Sequence, residues 1–387
     1  MGLRSIQLPE KSVEVKTFPR LPFIDFARGL VMAIMAWDHV TNFWNQIHGG
    51  SEGLFAYRNP ALNLTWFMAR FVTHYCAPTF IFLSGVSLAL SVRKRLLRGE
   101  PQRDITLHVV QRGVVLLIFE ALLVAPAFGL PRYYFGVIAC IGVSLIILSV
   151  ARRLPTKVIL VLSLITILNA QYLDLSFIPN DVAWGHYLRV IVHEPGFDMV
   201  PYVGLYPVVP WIGVMCLGWC LGSFLSGLDL EAVQRLKAPL FVTGVSSIAL
   251  FFVVRLFNGY GNLVRRWSNN IMDWLYLSKY PPSIAFLLWS LGGMFLFLAL
   301  GLLIQERGWS NRSLPGVMNT LGRNPLFFYL THLWLYRLRL PGVPAPFYLD
   351  LWQSLAFWLV GLVVLWQLTA RFERLKRAHP GSLLRYI

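Results

Sequence analysis

The run RGLVMAIMAWDHV, from Arg28 to Val40, places an arginine, an aspartate and a histidine among residues that are otherwise apolar or small. Arg28 and His39 are eleven residues apart, so on a helix they share one face, about 16 Å apart along the axis. Asp38 points about 100° away from that face and has no evident partner, whereas Asn42 can orient the imidazole of His39. Since neutral imidazole can take a proton from a hydroxyl or an amine, His39 is a candidate general base.

Three further ionisable side chains fall at the depth of His39 when the apolar segments cross a membrane in alternating directions. They are His74, Glu120 and His332, and each lies on a different segment. Ionisable residues at membrane depth are costly, and they usually mark a functional path or a paired structural site. Interhelical hydrogen bonding would explain His74 and Glu120 equally well. No two of the three histidines share a helix in a metal-ligand spacing, so we expect no metal site.

A second set of polar side chains lies at the depth of Arg28, namely Arg112, Arg323 and Asn324. Arginines bind phosphates through paired hydrogen bonds, which makes these residues candidates for binding a phosphorylated ligand. The proline after Asn324 disfavours helix there, and such a break can present polar groups to a cavity. Alternatively, Arg28 extends to the membrane surface beside Asp25. A phosphate site about 16 Å from a base suits a long, thin donor such as acyl-coenzyme A.

The elements that must position these residues are apolar helices. Of the 387 residues, 56% are hydrophobic and 13% charged, whereas soluble domains carry about a quarter charged residues. An apolar helix of about 20 residues crosses the hydrocarbon core of a bilayer. We therefore predict an all-α polytopic membrane bundle with ten spans, at residues 22–45, 66–92, 105–127, 134–151, 155–172, 206–226, 238–257, 281–304, 317–338 and 351–371.

The net charge of +16 is distributed by loop rather than gathered on one surface. The N-terminus, the second and fourth loops and the C-terminus are rich in lysine and arginine, and the alternate loops are poorer. The positive-inside rule then places both termini in the cytoplasm, and an even number of spans agrees. The basic charge is thus explained by topology and anionic lipids, and nucleic acid is not an expected partner. The predicted organisation is a cytoplasmic segment (1–20), a transmembrane domain (21–371) and a basic cytoplasmic tail (372–387).

Five segments, in order, resemble the bacterial relatives of heparan-α-glucosaminide N-acetyltransferase, in the transmembrane acyltransferase superfamily. They run from about residue 20 to 340 and read RLPFIDFARGL…DH, HYCAPTFIFLSGVS, LYPVVPWIGVMCLGWCLG, SKYPPSIAFLLWSLG and LGRNPLFFYLTHLW. The resemblance implies that acetyl-CoA is taken from the cytoplasmic side and that its acetyl group passes to a glycan on the other side.

The spacing of Arg28 and His39 is also similar to the Arg-x₁₀-His pattern of bacterial membrane sugar O-acyltransferases in this superfamily. That similarity implies that His39 is the catalytic base and that Arg28 contacts coenzyme A. The lysosomal enzyme instead has Asn where His39 falls, and its proposed catalytic histidine lies in the first outer loop. The nearest counterpart of that histidine here is His48, so the catalytic histidine is open between His39 and His48.

We therefore predict an acyltransferase of the bacterial plasma membrane that moves acetyl from acetyl-CoA to a hydroxyl or amine of an envelope sugar. Transfer is either direct or through an acetyl-histidine intermediate. Membrane lipids, the acyl-CoA donor and the glycan acceptor are the expected partners, and homo-oligomer formation is left open. The alternatives are a proton-coupled transporter that uses Asp38, His39, His74 and Glu120, and a non-catalytic envelope scaffold. No inverted repeat is evident, which counts against common transporter architectures.

Overall fold

A computed structural model describes residues 20–45, 63–196, 201–338 and 349–379, together with 381, 382 and 384. Within these residues the regular secondary structure is helical, with isolated β-bridges and no β-strand. The prediction of an all-α protein is therefore confirmed. His48 lies outside the described residues.

Sixteen α-helices form the described part of the chain. Three shorter helical segments lie between or directly after them: a 3₁₀ turn (Val72–Tyr75), a π-helical segment (Glu120–Val124) and a second 3₁₀ turn (Ala170–Tyr172). The α-helices are α1 (Pro22–Trp44), α2 (Leu64–Phe71), α3 (Cys76–Leu97), α4 (Gln102–Phe119), α5 (Ala125–Phe128), α6 (Val137–Ala151), α7 (Thr156–Asn169), α8 (Ala183–Val192), α9 (Val208–Leu225), α10 (Leu230–Arg235), α11 (Lys237–Phe257), α12 (Ile271–Leu275), α13 (Ile284–Glu306), α14 (Ser313–Arg323), α15 (Pro325–Arg337) and α16 (Leu351–Ala378).

Six helical stretches in the described residues are long and apolar enough to cross a membrane, which makes the chain a polytopic membrane protein. Two shorter apolar helices, Val137–Ala151 and Thr156–Tyr172, correspond to the fourth and fifth predicted spans. The other two predicted spans are α1, which contains three charged residues, and the interrupted pair α14–α15. The number of spans and the cytoplasmic position of both termini stay predictions. The six long stretches are Leu64–Leu97, Gln102–Phe128, Val208–Leu225, Leu230–Phe257, Ile284–Glu306 and Leu351–Ala378.

The last helix extends beyond the predicted start of the tail at residue 372, because α16 continues to Ala378. Ion pairs stabilise its final turns: Glu373 bonds to Arg323 of α14 at 2.8 Å and also to Arg377, one turn later. Part of the predicted tail is therefore packed against the bundle.

Helices α1 and α14 pack closely because two glycines let their backbones approach. A Cβ on Gly29 would lie 1.8 Å from the Met318 carbonyl oxygen, and one on Gly322 would lie 1.8 Å from that of Asp25. Small residues at helix interfaces in membranes allow such contacts. Arg28 donates a 3.0 Å hydrogen bond to the carbonyl oxygen of Gly322. The close contact therefore fixes Arg28 beside the end of α14.

Candidate active site

Basic side chains from four helices line a cavity of about 350 Å³, which we call the basic cavity. Arg28 comes from α1, Arg112 from α4, Arg323 from the end of α14 and Lys376 from the last turns of α16. His108, one turn before Arg112, lines the same cavity. The structure thus brings together the three arginines that the sequence placed at the same depth in the membrane.

Ion pairs and hydrogen bonds hold two of these arginines in place. Arg28 donates to Oγ of Ser87 at 2.7 Å, and its guanidinium lies 3.4 Å from the carboxylate of Asp25. Arg323 pairs with Glu373 at 2.8 Å. No carboxylate is among the described residues that line the cavity. The surface of the basic cavity is therefore electropositive and suited to phosphate groups.

The break between α14 and α15 falls at Asn324, whose φ is −127° and ψ is 61°, and Pro325 begins α15. The helix is therefore interrupted where the proline predicted it. Arg323, just before the break, lines the basic cavity. Asn324 is buried and is not among the described lining residues, and its Nδ2 has no hydrogen-bond partner within the described chain. Of this pair, only Arg323 reaches the predicted ligand site.

A second cavity, of about 370 Å³, lies beside His39, and we call it the histidine cavity. Tyrosine side chains and charged groups share its wall: Lys279, only 2% exposed, has its ammonium 5.1 Å from the centre of the Tyr280 ring. The hydroxyls of Tyr206 and Tyr280 are 3.3 Å apart. This wall combines aromatic faces with hydrogen-bonding groups.

The two cavities adjoin each other, because Phe80, Val137 and Tyr329 line both of them. Along α1, Arg28 in the basic cavity and His39 in the histidine cavity are about 16 Å apart. Met32 lines the first cavity and Met35 the second, so the face of α1 between Arg28 and His39 runs along both cavities. The basic site and the histidine site therefore lie side by side along one helix.

His39 is paired with a second histidine from α15. Its Nδ1 lies 2.6 Å from Nε2 of His332, and Nδ1 of His332 lies 3.0 Å from the carbonyl oxygen of Phe328. His332 is fully buried, whereas His39 is partly buried and lines the cavity. Asn42, the predicted orienting residue, is exposed on the same cavity wall. The described structure provides His332 as a partner for Nδ1 of His39.

Asp38 forms an ion pair with Arg70 of α2, and each side chain is only 11% exposed. The two residues line the histidine cavity together. The sequence offered no partner for Asp38 because the partner lies on another helix. The depth of a residue in the membrane does not show which way its helix is turned. The structure therefore gives Asp38 the partner that the sequence did not reveal.

His74 and Glu120 lie behind the cavity walls rather than on them. His74 is fully buried, with ring centres 4.8 Å from Phe71 and 5.3 Å from Phe286. Glu120 begins the π-helical segment and accepts a 2.8 Å hydrogen bond from the backbone N–H of Ala139, in the first turn of α6. Neither is among the described residues that line the two cavities. Of the candidates grouped with His39, His332 is the one shown in contact with it.

Several lining residues were not selected from the sequence. Lys376 falls in the predicted tail, and Lys279 falls between the predicted spans 238–257 and 281–304. Three of the lining residues lie in or beside segments that the sequence did single out: Lys279 in SKYPPS, Tyr329 in LFFY, and His108 one helical turn before Arg112. These positions were not selected because nothing in their local pattern says which way the side chains point.

The fold and the two adjoining cavities define a polytopic membrane protein with an electropositive site next to a histidine site. A comparison with protein families matches residues 20–256 to heparan-alpha-glucosaminide N-acetyltransferase, catalytic. This match covers more than half of the chain, so the protein belongs to that family, and the resemblance to the family is confirmed, while a bacterial origin stays a prediction. The family supports a membrane acetyltransferase kind of function. A search of the curated proteins finds no match.

Proposed function

We propose that the protein transfers an acetyl group from acetyl-CoA to a hydroxyl or amine of a sugar or glycan on the extracytoplasmic side of a bacterial plasma membrane. The observation that carries the proposal is that the basic cavity and the histidine cavity lie next to each other and share three lining residues. One end offers four cationic side chains, and the other offers an imidazole on the same helix. The family supports the acetyl group as the one transferred.

The basic cavity suits the nucleotide end of acetyl-CoA, which carries a diphosphate and a separate phosphate. Arg28, Arg112, Arg323 and Lys376 come from different helices and can contact phosphates from several directions. Glu373 and Asp25 orient two of the guanidinium groups from outside the lining. The positive-inside distribution supports a cytoplasmic opening for this cavity.

The side chains that line both cavities suit the pantetheine arm of the donor, which is a thin chain of methylene and amide groups. The rings of Phe80 and Tyr329 and the branched side chain of Val137 offer apolar contacts on several sides. With the phosphates near Arg28, an extended arm would bring the thioester towards His39. This placement lets one ligand use both cavities.

In the proposed reaction, His39 removes a proton from the acceptor hydroxyl or amine as that group attacks the thioester carbonyl. A C–O or C–N bond forms, the C–S bond breaks, and the thiolate of coenzyme A receives the proton from His39. In a two-step version, His39 attacks first and holds the acetyl group until the acceptor arrives. The tyrosine hydroxyls and rings of the histidine cavity suit the hydroxyls and apolar faces of a sugar.

The test uses purified full-length protein with coenzyme A, acetyl-CoA and longer acyl-CoAs. We expect coenzyme A and acetyl-CoA to raise the thermal unfolding temperature, because a ligand that binds the native state stabilises it. We also expect radiolabelled acetyl to appear on sugar acceptors or, through hydrolysis, in acetate. A proton-coupled transporter should show neither response. Absence of both would overturn the proposal. The expectation that no metal takes part stays a prediction, and dialysis against a chelator tests it.

A further inference from the structure

We infer that His332 is a positioning residue that keeps a proton on Nδ1 of His39 and so makes Nε2 of His39 the basic atom. The inference rests on the proposed function only for the use of that base. Its evidence is a chain of three groups: the Phe328 carbonyl, the His332 imidazole and the His39 imidazole.

The chain of hydrogen bonds has a fixed direction because one end can only accept. The Phe328 carbonyl oxygen lies 3.0 Å from Nδ1 of His332, so that nitrogen must carry the proton of the hydrogen bond. The opposite tautomer would place a nitrogen lone pair against the carbonyl oxygen. Since His332 is fully buried, the neutral imidazole is favoured, and its Nε2 then holds a lone pair.

That lone pair determines the proton on the second ring. Nε2 of His332 lies 2.6 Å from Nδ1 of His39, and a hydrogen bond at this distance requires a proton on one of the two atoms. Nε2 of neutral His332 has none, so Nδ1 of His39 donates. Neutral imidazole carries only one N–H, and the lone pair of His39 is therefore on Nε2.

The geometry of the rings agrees with this bond. Their planes are inclined by 20° and their centres are 4.8 Å apart. The N–N distance of 2.6 Å is shorter than the roughly 3.5 Å between atoms of rings in face-to-face contact, so the rings meet edge to edge. Imidazole N–H bonds and lone pairs lie in the ring plane, where such an edge contact uses them.

The arrangement also accommodates the proton taken from the acceptor. When Nε2 of His39 gains that proton, the Nδ1 proton can stay on His39 or move to Nε2 of His332. In the second case His332 holds both protons and still donates to Phe328. The pair thus shares one positive charge, and the proton returns from Nε2 of His39 to the leaving thiolate.

The test measures the tautomer directly by ¹⁵N NMR on histidine-labelled full-length protein without substrates. The His39 signals are assigned by their loss in His39→Ala. We expect protonated Nδ1 and unprotonated Nε2 at His39 in the wild type, and a mixture of tautomers in His332→Phe. We expect His186→Gln, a substitution at a buried histidine outside both cavities, to leave the His39 signals unchanged. A proton on Nε2 of His39 in the wild type would overturn the inference.

Kinetics provide a second test. A purely structural role for His332 would not produce a fall in kcat at constant KM that glutamine partly restores. His332→Phe keeps a planar ring but removes the acceptor, so we expect kcat for acetyl release or transfer to fall roughly 100-fold with KM for acetyl-CoA unchanged. His332→Gln can accept from Nδ1 of His39 through its carbonyl oxygen, and should recover at least 10-fold of that loss, on the order of 1.4 kcal/mol. Equal loss in both folded variants would contradict the inference. If no acyl-CoA reacts at all, the proposed function fails, while the NMR result still decides the tautomer.

Discussion

The basic cavity and the histidine cavity are built on different principles. In the first, cationic groups from four helices act on a ligand together, and each contributes part of an electropositive surface. In the second, the polar groups are coupled in pairs from different parts of the fold, as His39 with His332, Asp38 with Arg70 and Tyr206 with Tyr280. An electropositive surface made by several cationic groups still attracts its ligand when one group is removed. A pair of polar groups loses its interaction when either partner is removed. Substitutions should therefore have graded effects in the basic cavity and abrupt effects in the histidine cavity.

The largest effect should come from His39→Ala, because general base catalysis contributes roughly 100- to 10,000-fold to a rate. We expect kcat for acetyl transfer or acetyl-CoA hydrolysis to fall about 1,000-fold, with stabilisation by coenzyme A retained. His379→Ala, at an exposed histidine near the end of α16, is the control. If His48→Ala abolishes turnover while His39→Ala does not, the catalytic role belongs to His48.

The next effect concerns stability. Asp38→Leu removes the carboxylate that faces Arg70, and breaking such a buried pair costs on the order of 3 kcal/mol. We expect a clear loss in the free energy of unfolding in mixed micelles, and recovery of most of it in the double variant Asp38→Leu/Arg70→Met. Glu231→Gln breaks the exposed pair with Arg235 and should have little effect. Additive losses in the double variant would mean that the two side chains are not coupled.

A smaller effect is expected in the basic cavity. Arg112→Ala should raise KM for acetyl-CoA roughly 10-fold, equivalent to about 1.4 kcal/mol, and leave kcat within twofold. Because the contact is electrostatic, the difference from wild type should shrink as ionic strength rises. Arg153→Ala, at an exposed arginine outside the described cavity lining, is the matched control. A fall in kcat alone would contradict a role in donor binding.

The smallest effect should come from Ser87→Ala, which removes a 2.7 Å hydrogen bond from Arg28 without removing a charge. A single hydrogen bond contributes about 1 kcal/mol or less, so we expect KM for acetyl-CoA to rise less than fivefold. Steady-state kinetics beside Ser223→Ala, a serine outside both described linings, would measure this difference. A change as large as that of Arg112→Ala would mean that Ser87 contacts the donor itself.

The two cavities also differ in how far the sequence predicted them. Arg28, Arg112 and Arg323 could be grouped because a charge in an apolar span is conspicuous and its depth follows from helix rise. Lys376 could not, because loop counting assigned it to a tail, whereas ion pairs at Glu373 extend α16 into the bundle.

The contacts in the histidine cavity depend on how each helix is rotated about its own axis. The depth of a residue in the membrane does not give this rotation. His39 and His332 turn towards each other, while His74 turns into a cluster of phenylalanine rings. The pairing of Asp38 with Arg70 depends in the same way on how α1 faces α2. Local irregularities such as the π-helical segment that starts at Glu120 depend on packing between helices, and residue spacing alone cannot predict them.

The shared wall of Phe80, Val137 and Tyr329 has a consequence for the energetics of the cell as well as for the donor. If the two cavities open to opposite faces of the membrane, as proposed, water on either side approaches the same narrow point. A continuous column of water there would conduct protons and discharge the gradient across the membrane. The rings of Phe80 and Tyr329 and the branched side chain of Val137 disfavour such a column, so we expect the shared wall to limit proton leakage when the donor is absent. The protein would then pass an acetyl group across the membrane without letting protons leak through.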